Sequence, residues 1–232
     1  MNISRSFSYL LCGAITLTGS IGLAAAQNTP VTVENAQVIA YFSAPIKGNS
    51  ELVSQAVAHG YYRILIKEDK NGYLIQDFYQ DNNRKQTDPI YVTDPADLTK
   101  SGPETLLGKL KQYYPSGKLY SVAQFTDQYE FIHYKTYFEN GNLQTKFDHF
   151  HDTSYQTYWY PNQKLALKIK LKDYEQVLSA SGWKADGTRI AAEHCFKQKK
   201  VNIKDSTDQC LALLQKLDTE ENARFDQMHQ IK

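Results

Sequence analysis

The chain has 232 residues, 26 Lys and Arg against 25 Asp and Glu, and a mean hydropathy of −0.54. A balance so near neutral, with charges spread along the chain, gives no electrostatic footprint for nucleic acid or an anionic membrane. No linker rich in Gly, Ser or Pro divides it, so one elongated body with end pieces is expected.

Residues 1–26 read as a signal peptide. Arg5 supplies the positive start, Leu10 to Leu23 the mostly apolar stretch, and Ala24-Ala25-Ala26 a small-residue cleavage site before Gln27. The stretch is short and broken by Gly13, Thr16, Gly19 and Ser20, which argues against a membrane anchor. Cys12 follows Tyr9-Leu10-Leu11, without the small residue that a lipoprotein signal places before its cysteine. The mature protein is therefore expected to be periplasmic or secreted, with no stable membrane anchor. Arg5 is the segment's only charge, so cleavage leaves the chain formally neutral. Two cysteines remain, Cys195 and Cys210, and a pair in an exported chain is expected to form a disulfide bond.

Residues 27–104 form a small α/β piece in this reading. Val31-Thr32-Val33 and Val38-Ile39-Ala40-Tyr41-Phe42 suit short strands, and Ser50 to His59 a short helix, capped by Asn49 or Ser50 and stopped by Gly60. Tyr61 to Lys67 and Tyr73 to Tyr79 flank Asn71-Gly72 and predict a hairpin. The polar stretch 80–104 reads as an insertion, with one helical turn at Asp94-Pro95-Ala96-Asp97-Leu98.

Residues 105–190 carry a repeat. Tyr113-Tyr114-Pro115-Ser116-Gly117-Lys118-Leu119 returns as Tyr137-Phe138-Glu139-Asn140-Gly141-Asn142-Leu143 and as Trp159-Tyr160-Pro161-Asn162-Gln163-Lys164-Leu165. It fades in Trp183-Lys184-Ala185-Asp186-Gly187. The anchors at 117, 141, 163 and 187 recur every 22 to 24 residues, the mark of an array. Each anchor is a turn dipeptide after an aromatic pair (Trp183 alone in the last copy), which predicts two-residue hairpin loops. Weaker turns fall near Thr126-Asp127-Gln128, His149 to Asp152, and Lys172-Asp173-Tyr174. From Lys164 to Lys172, Leu165, Leu167, Ile169 and Leu171 share one face, and Lys168 and Lys170 the other, a strand with one wet side. The fold class is mainly β: an elongated antiparallel meander of repeated hairpins, with the N-terminal piece and a C-terminal helix cap.

The repeat motif resembles the MORN-repeat-variant family, bacterial proteins of the YwqK antitoxin type. The resemblance covers about residues 113–189, with a degenerate copy at Phe78-Tyr79-Gln80-Asp81-Asn82-Asn83-Arg84. It departs from the family at Gln163, where Gly is expected, and at the intervening turns, which lack glycine. It implies a non-catalytic antitoxin or immunity protein whose partner is a toxin.

Residues 191–232 form the C-terminal cap. Ser206 and Gln209 fit a capping box, and Leu211, Leu214, Leu217, Phe225 and Met228 fall along one helical stripe. That helix, stapled by the cysteines, is expected to cover the end of the meander.

For sites, His149 and His151 form a His-x-His pair flanked by Asp148 and Asp152 that two strand positions could turn toward one metal. The bland alternative is a polar hairpin tip. Ser181-Gly182-Trp183-Lys184 has the Ser-x-x-Lys spacing but sits on a repeat strand, and Glu193-His194-Cys195 places a base beside a thiol that a disulfide would consume. No phosphate-binding glycine loop, zinc-protease helix motif or nucleophile elbow occurs, so no cofactor or catalytic residue is assigned.

More than half of the chain's aromatics lie in residues 113–174. Adjacent residues of a strand face opposite ways, so one member of each pair Tyr113/Tyr114, Tyr137/Phe138 and Trp159/Tyr160 faces outward and is a candidate for binding a protein partner. The structural alternative is a set of cross-strand pairs that stiffen the sheet. An envelope scaffold holding glycan through the same aromatics, and a hydrolase using His149 and His151, are the competing functions.

Overall fold

The computed structural model describes residues 37–45, 50–103, 105–126, 131–201 and 207–228. The expected signal peptide, the strand expected at 31–33, Asn49, the turn residues 127–128 and Ser206 of the expected capping box lie outside the described residues.

Twelve strands form one open antiparallel sheet: β1 Gln37–Phe42, β2 Leu52–Val53, β3 Tyr61–Asp69, β4 Gly72–Tyr79, β5 Ile90–Val92, β6 Leu106–Tyr113, β7 Leu119–Phe125, β8 Phe131–Tyr137, β9 Leu143–Phe150, β10 Thr153–Trp159, β11 Leu165–Lys172 and β12 Gln176–Gly182. From β3 to β12 each strand pairs with the next in sequence, while β1 adds beside β3 and β2 beside β1. At about 4.8 Å per strand the sheet is about 50 Å wide. The meander and the hairpin β3–β4 are as the sequence predicts.

The turns differ from expectation. At the first anchor Tyr114 N donates to Lys118 O at 2.8 Å and Gly117 N to Tyr114 O at 2.7 Å. This is a three-residue loop, a type I turn followed by one left-handed residue, not a two-residue loop. Pro115 and Pro161 fit the position whose φ proline presets. Only the anchor needs positive φ, and Gly117, Gly141 and Gly187 have 86°, 86° and 95°. Gln163 takes the same place at 66°. Its neighbour Asn162 helps, accepting Lys164 N on Oδ1 at 3.1 Å, as Asn140 does for Asn142 and Asp186 for Thr188. Beyond each of the first three turns the register slips, at Gln112/Tyr113, Thr136/Tyr137 and Tyr158/Trp159. The bulge sends two successive residues to the same side, and the pairs Tyr120 and Ser121, Gln144 and Thr145, Ala166 and Leu167 are all buried.

Two segments correct the sequence reading. Residues 50–59 are not a helix: Leu52 and Val53 pair with Phe42 and Tyr41, and the chain then turns. A helix this short is marginal by itself. Here its backbone donors are taken by side chains after β4, Val57 N by Gln80 Oε1 and His59 N by Asp81 Oδ1. The polar stretch 80–104 is not a mere insertion. Its Ile90-Tyr91-Val92 joins β4 to β6, with Ile90 and Val92 buried. The expected turn of helix forms as a 3-10 turn at Pro95–Asp97. Arg63, 1% exposed, ties that loop to the sheet, donating to both Asp77 carboxylate oxygens at 2.8 and 2.9 Å and to the carbonyls of Leu98 and Lys100.

The helix α1, Gln209–Met228, begins at Asp208, whose buried carboxylate accepts Leu211 N and Lys197 N, both at 2.9 Å. Its first turn is fixed by the Cys195–Cys210 disulfide. Gly182 lies beneath this bond, and a Cβ there would meet Cys210 Sγ at 2.5 Å. Twenty residues span about 30 Å. The helix uses that length to cross one face of the sheet, here called the inner face. Leu211, Leu214 and Leu217 pack into a core with Leu167, Ile169, Leu171 and Val177. Further along, Asp218 meets Tyr158, Glu221 meets Thr145, Arg224 stacks on Phe138, and Phe225 touches Tyr120. Burying each leucine is worth about 1.5–3 kcal/mol. The edge of β12 is guarded instead by the chain after the disulfide, where Val177 N donates to Lys199 O and Val201 N to Glu175 O. A second core joins Ile75, Ile90, Val92, Leu106, Ala123 and Phe125 at the other end.

Candidate functional site

The aromatic pairs divide between the two faces. Tyr114, Phe138 and Tyr160 turn inward. Tyr114 and Phe138 are 4% and 7% exposed, and Tyr160 packs against the helix-side core. The tyrosines among them do a structural task. Tyr79 Oη donates to Tyr113 O at 2.7 Å, Tyr114 Oη to Tyr137 O at 2.6 Å, and Tyr160 Oη to Trp183 O at 2.8 Å. Each hydroxyl bridges one hairpin to the next at the turn end. Tyr79 belongs to the degenerate copy, which shares this bridge but has a loop one residue longer, Tyr79 N donating to Arg84 O and Asn83 N to Tyr79 O. Phe138 has no hydroxyl, and Arg224 covers its ring at 5.2 Å.

Tyr113, Tyr137, Trp159 and Trp183 turn outward, each half-buried. They pair across the turns with Leu119, Leu143, Leu165 and Arg189. The result is one apolar stripe along the outer face, with an aromatic about every 10 Å, two strand spacings. Two cross-strand rows lie beside it. One runs Lys111, Val122, Lys135, Lys146, Thr157, Lys168; the other Lys109, Gln124, His133, Asp148, Tyr155, Lys170. The rows hold six lysines and one carboxylate, Asp148. Burial alone would raise the Asp148 carboxyl, but hydrogen bonds from Lys146 and His133 outweigh it and hold the group below its usual range. Six lysines of a chain neutral by composition thus gather on one face, Lys111 among them paired with Asp88 at 3.5 Å. Beside His133 the rings of Phe150 and Tyr155 are 53% and 42% exposed, and Lys170 lies over Tyr155 at 5.4 Å.

The other sequence candidates separate. His149 lies on the inner face, stacked on Tyr174 at 4.8 Å, while His151 sits in the next turn at φ 56°, exposed. Among the described residues no group of three His, Cys, Asp or Glu side chains is placed to hold a metal ion. Ser181 lies one residue before the end of β12 and accepts from Arg189 Nη2 at 3.3 Å, and Cys195 has no free thiol.

Sequence reasoning missed a cavity of about 250 Å³ between the inner face, α1 and the loop after Pro95. Asp218 and Glu221 enter it from the helix, and Tyr120, Tyr134 and Tyr158 from β7, β8 and β10. Tyr158 Oη donates to Gln156 Oε1 at 3.2 Å and approaches Asp218 Oδ1 at 3.4 Å; Thr145 Oγ1 donates to Glu221 Oε2 at 3.2 Å. Burial, then the Glu221 charge, push the Asp218 carboxyl up to about 7 against the Tyr158 hydrogen bond. Burial also raises Glu221, against the pull of the nearby Thr136 and Thr145 hydroxyls and the Arg224 charge. Burial drives the phenols of Tyr120, Tyr134 and Tyr158 upward, so all three remain neutral donors. A signal was available: Asp218 and Glu221 interrupt the stripe from Leu211 to Phe225, where apolar residues belong.

No known family's model matches the chain, and no curated protein matches it in sequence.

Proposed function

We propose that this is an exported, non-catalytic binding protein whose outer sheet face holds an acidic protein partner. The observation that carries the reading is the stripe of Tyr113, Tyr137, Trp159 and Trp183 beside two lysine rows. Half-buried aromatics on a stiff sheet are suited to be interface anchors, and a ring of like charge selects and steers a partner of opposite sign. The resemblance to the MORN-repeat-variant family favours a toxin as the partner, with this chain as its immunity protein or antitoxin. Export to the periplasm or beyond is supported by the signal-like residues 1–26 and the disulfide, which persists in oxidising compartments. Among the described residues no helix is long and apolar enough to cross a membrane.

The regular spacing of the planar rings favours one second reading, an envelope scaffold that binds an anionic glycan. The two are separated by titrating the mature protein with the partner captured from the native envelope, before and after treatment with protease or glycosidase. A protein partner is lost to protease only, and its affinity falls with added salt. Retention of binding after proteolysis contradicts the first reading.

A further inference from the structure

The cavity on the inner face lies on the opposite side of the sheet from the proposed partner surface. Its chemistry is specific. The two carboxylates Asp218 and Glu221 stand three residues apart on α1, about 5–6 Å between their Cβ atoms. Among the described residues no Lys or Arg nitrogen comes within ion-pair distance of either one. Arg63, the one cation among the described residues that line the cavity, is already engaged by Asp77 in a two-pronged pair. Arg224, also on α1, is turned to Phe138 and Glu220. Beside Glu221, Thr136 and Gln144 are 0% and 4% exposed, and Thr136 Oγ1 and Gln144 Oε1 lack a hydrogen bond of full geometry although both side chains face Glu221. Two cavity carboxylates without an ion pair, beside buried polar atoms whose hydrogen bonds are incomplete, leave the site short of a positively charged donor. The rings of Tyr120, Tyr134 and Tyr158 supply electron-rich walls, which attract an ammonium group. The volume, about 250 Å³, is just below the usual range for drug-sized ligands, about 300–1,000 Å³, and suits a smaller one.

We propose that this cavity binds a small aliphatic amine, its ammonium group seated between Asp218 and Glu221 and its carbon chain against the tyrosine rings. Bound amine neutralises the helix carboxylates, so the ligand stabilises the fold as well as filling the site.

The test uses the full mature chain with putrescine, cadaverine and n-butylamine as probes and uncharged 1,4-butanediol as control. Calorimetric titration and thermal melts are run in parallel. The expected result is saturable binding of the amines, a melting temperature that rises with their concentration, and no effect of the diol. Asp218→Asn with Glu221→Gln, nearly isosteric, should weaken amine binding at least about tenfold, or about 1.4 kcal/mol. Glu220→Gln on the exposed side of the same helix should leave it unchanged. Should the double variant fail to fold, Tyr158→Phe with Tyr134→Leu provides the second variant, and the same loss is expected. The proposal is overturned if amines show no saturable binding up to millimolar concentration, if the diol binds equally, or if removing the two carboxylates leaves affinity intact. Because the outer face is untouched, loss of amine binding with retained partner capture keeps this result independent of the proposed function.

Discussion

Replacing Asp218 by Asn should make the protein more stable at neutral and alkaline pH. Asp218 lines the cavity half-buried, with Glu221 beside it and, among the described residues, no ion-pair partner, and its carboxyl is raised from 3.8 to about 7. A raised carboxyl favours the protonated form in the fold. Its contribution is therefore fully present below about pH 4 and is lost as pH rises through about 7. Above that, the folded state holds a charge that the unfolded chain would solvate better. At about 1.4 kcal/mol for each tenfold change in proton affinity, the whole difference is about 4 kcal/mol. The carboxyl is partly exposed and therefore screened by solvent, so about half of that, ~2 kcal/mol, is the working figure. Asparagine has nearly the same shape and never ionises. Asp218→Asn should match the wild type at pH 4 and exceed it at pH 8 by about 2 kcal/mol, roughly 4–8 °C in melting temperature for a chain of this size. Thermal melts followed by circular dichroism from pH 4 to 8, without added amine, measure both ends. A variant less stable than wild type at pH 8, or a difference that does not change with pH, refutes the reasoning.

Three further predictions follow from the packing. Tyr114→Phe and Tyr160→Phe each remove one hydroxyl bridge between hairpins and should cost about 1 kcal/mol of stability in chemical denaturation, with partner affinity unchanged. Gly182→Ala drives a methyl against Cys210 Sγ and Ile190, and should lower stability by about 1–3 kcal/mol in the same assay. Reducing Cys195–Cys210, which closes a separation of 15 residues, should cost about 3 kcal/mol, lowering the melting temperature and loosening α1 before the sheet in hydrogen exchange.

The meander was legible because its signals are local. Turn residues at a fixed period, and the alternation in Leu165 to Lys172, specify strands without knowledge of the rest. Which aromatic faces out was not legible, since alternation gives opposition but not direction; the bulge after each turn and the helix across the face decide it. The 50–59 segment misled because its N–H groups are claimed by Gln80 and Asp81, more than twenty residues away. Ile90 to Val92 is too short to announce a strand, and gains its place from β4 and β6 on either side. The cavity was hidden for a similar reason. Its carboxylates come from the last helix and its tyrosines from three strands, and only Asp218 and Glu221 in an apolar stripe hinted at it. The lysine face was masked by net charge, which sums over both faces of a sheet that separates them.

The central claim, that the outer face holds an acidic protein partner, is tested most directly by comparative capture from the native envelope. Three baits are used: the mature protein, Tyr137→Ala with Trp159→Ala, and Tyr160→Phe. Interface anchors of this kind are worth 2 kcal/mol or more each, about thirtyfold in affinity. The outward pair of substitutions should therefore lose an acidic protein that the wild type and Tyr160→Phe both retain. Recovery of the same proteins, in the same amounts, on all three baits would contradict the account and leave the outer aromatics with a stiffening role alone.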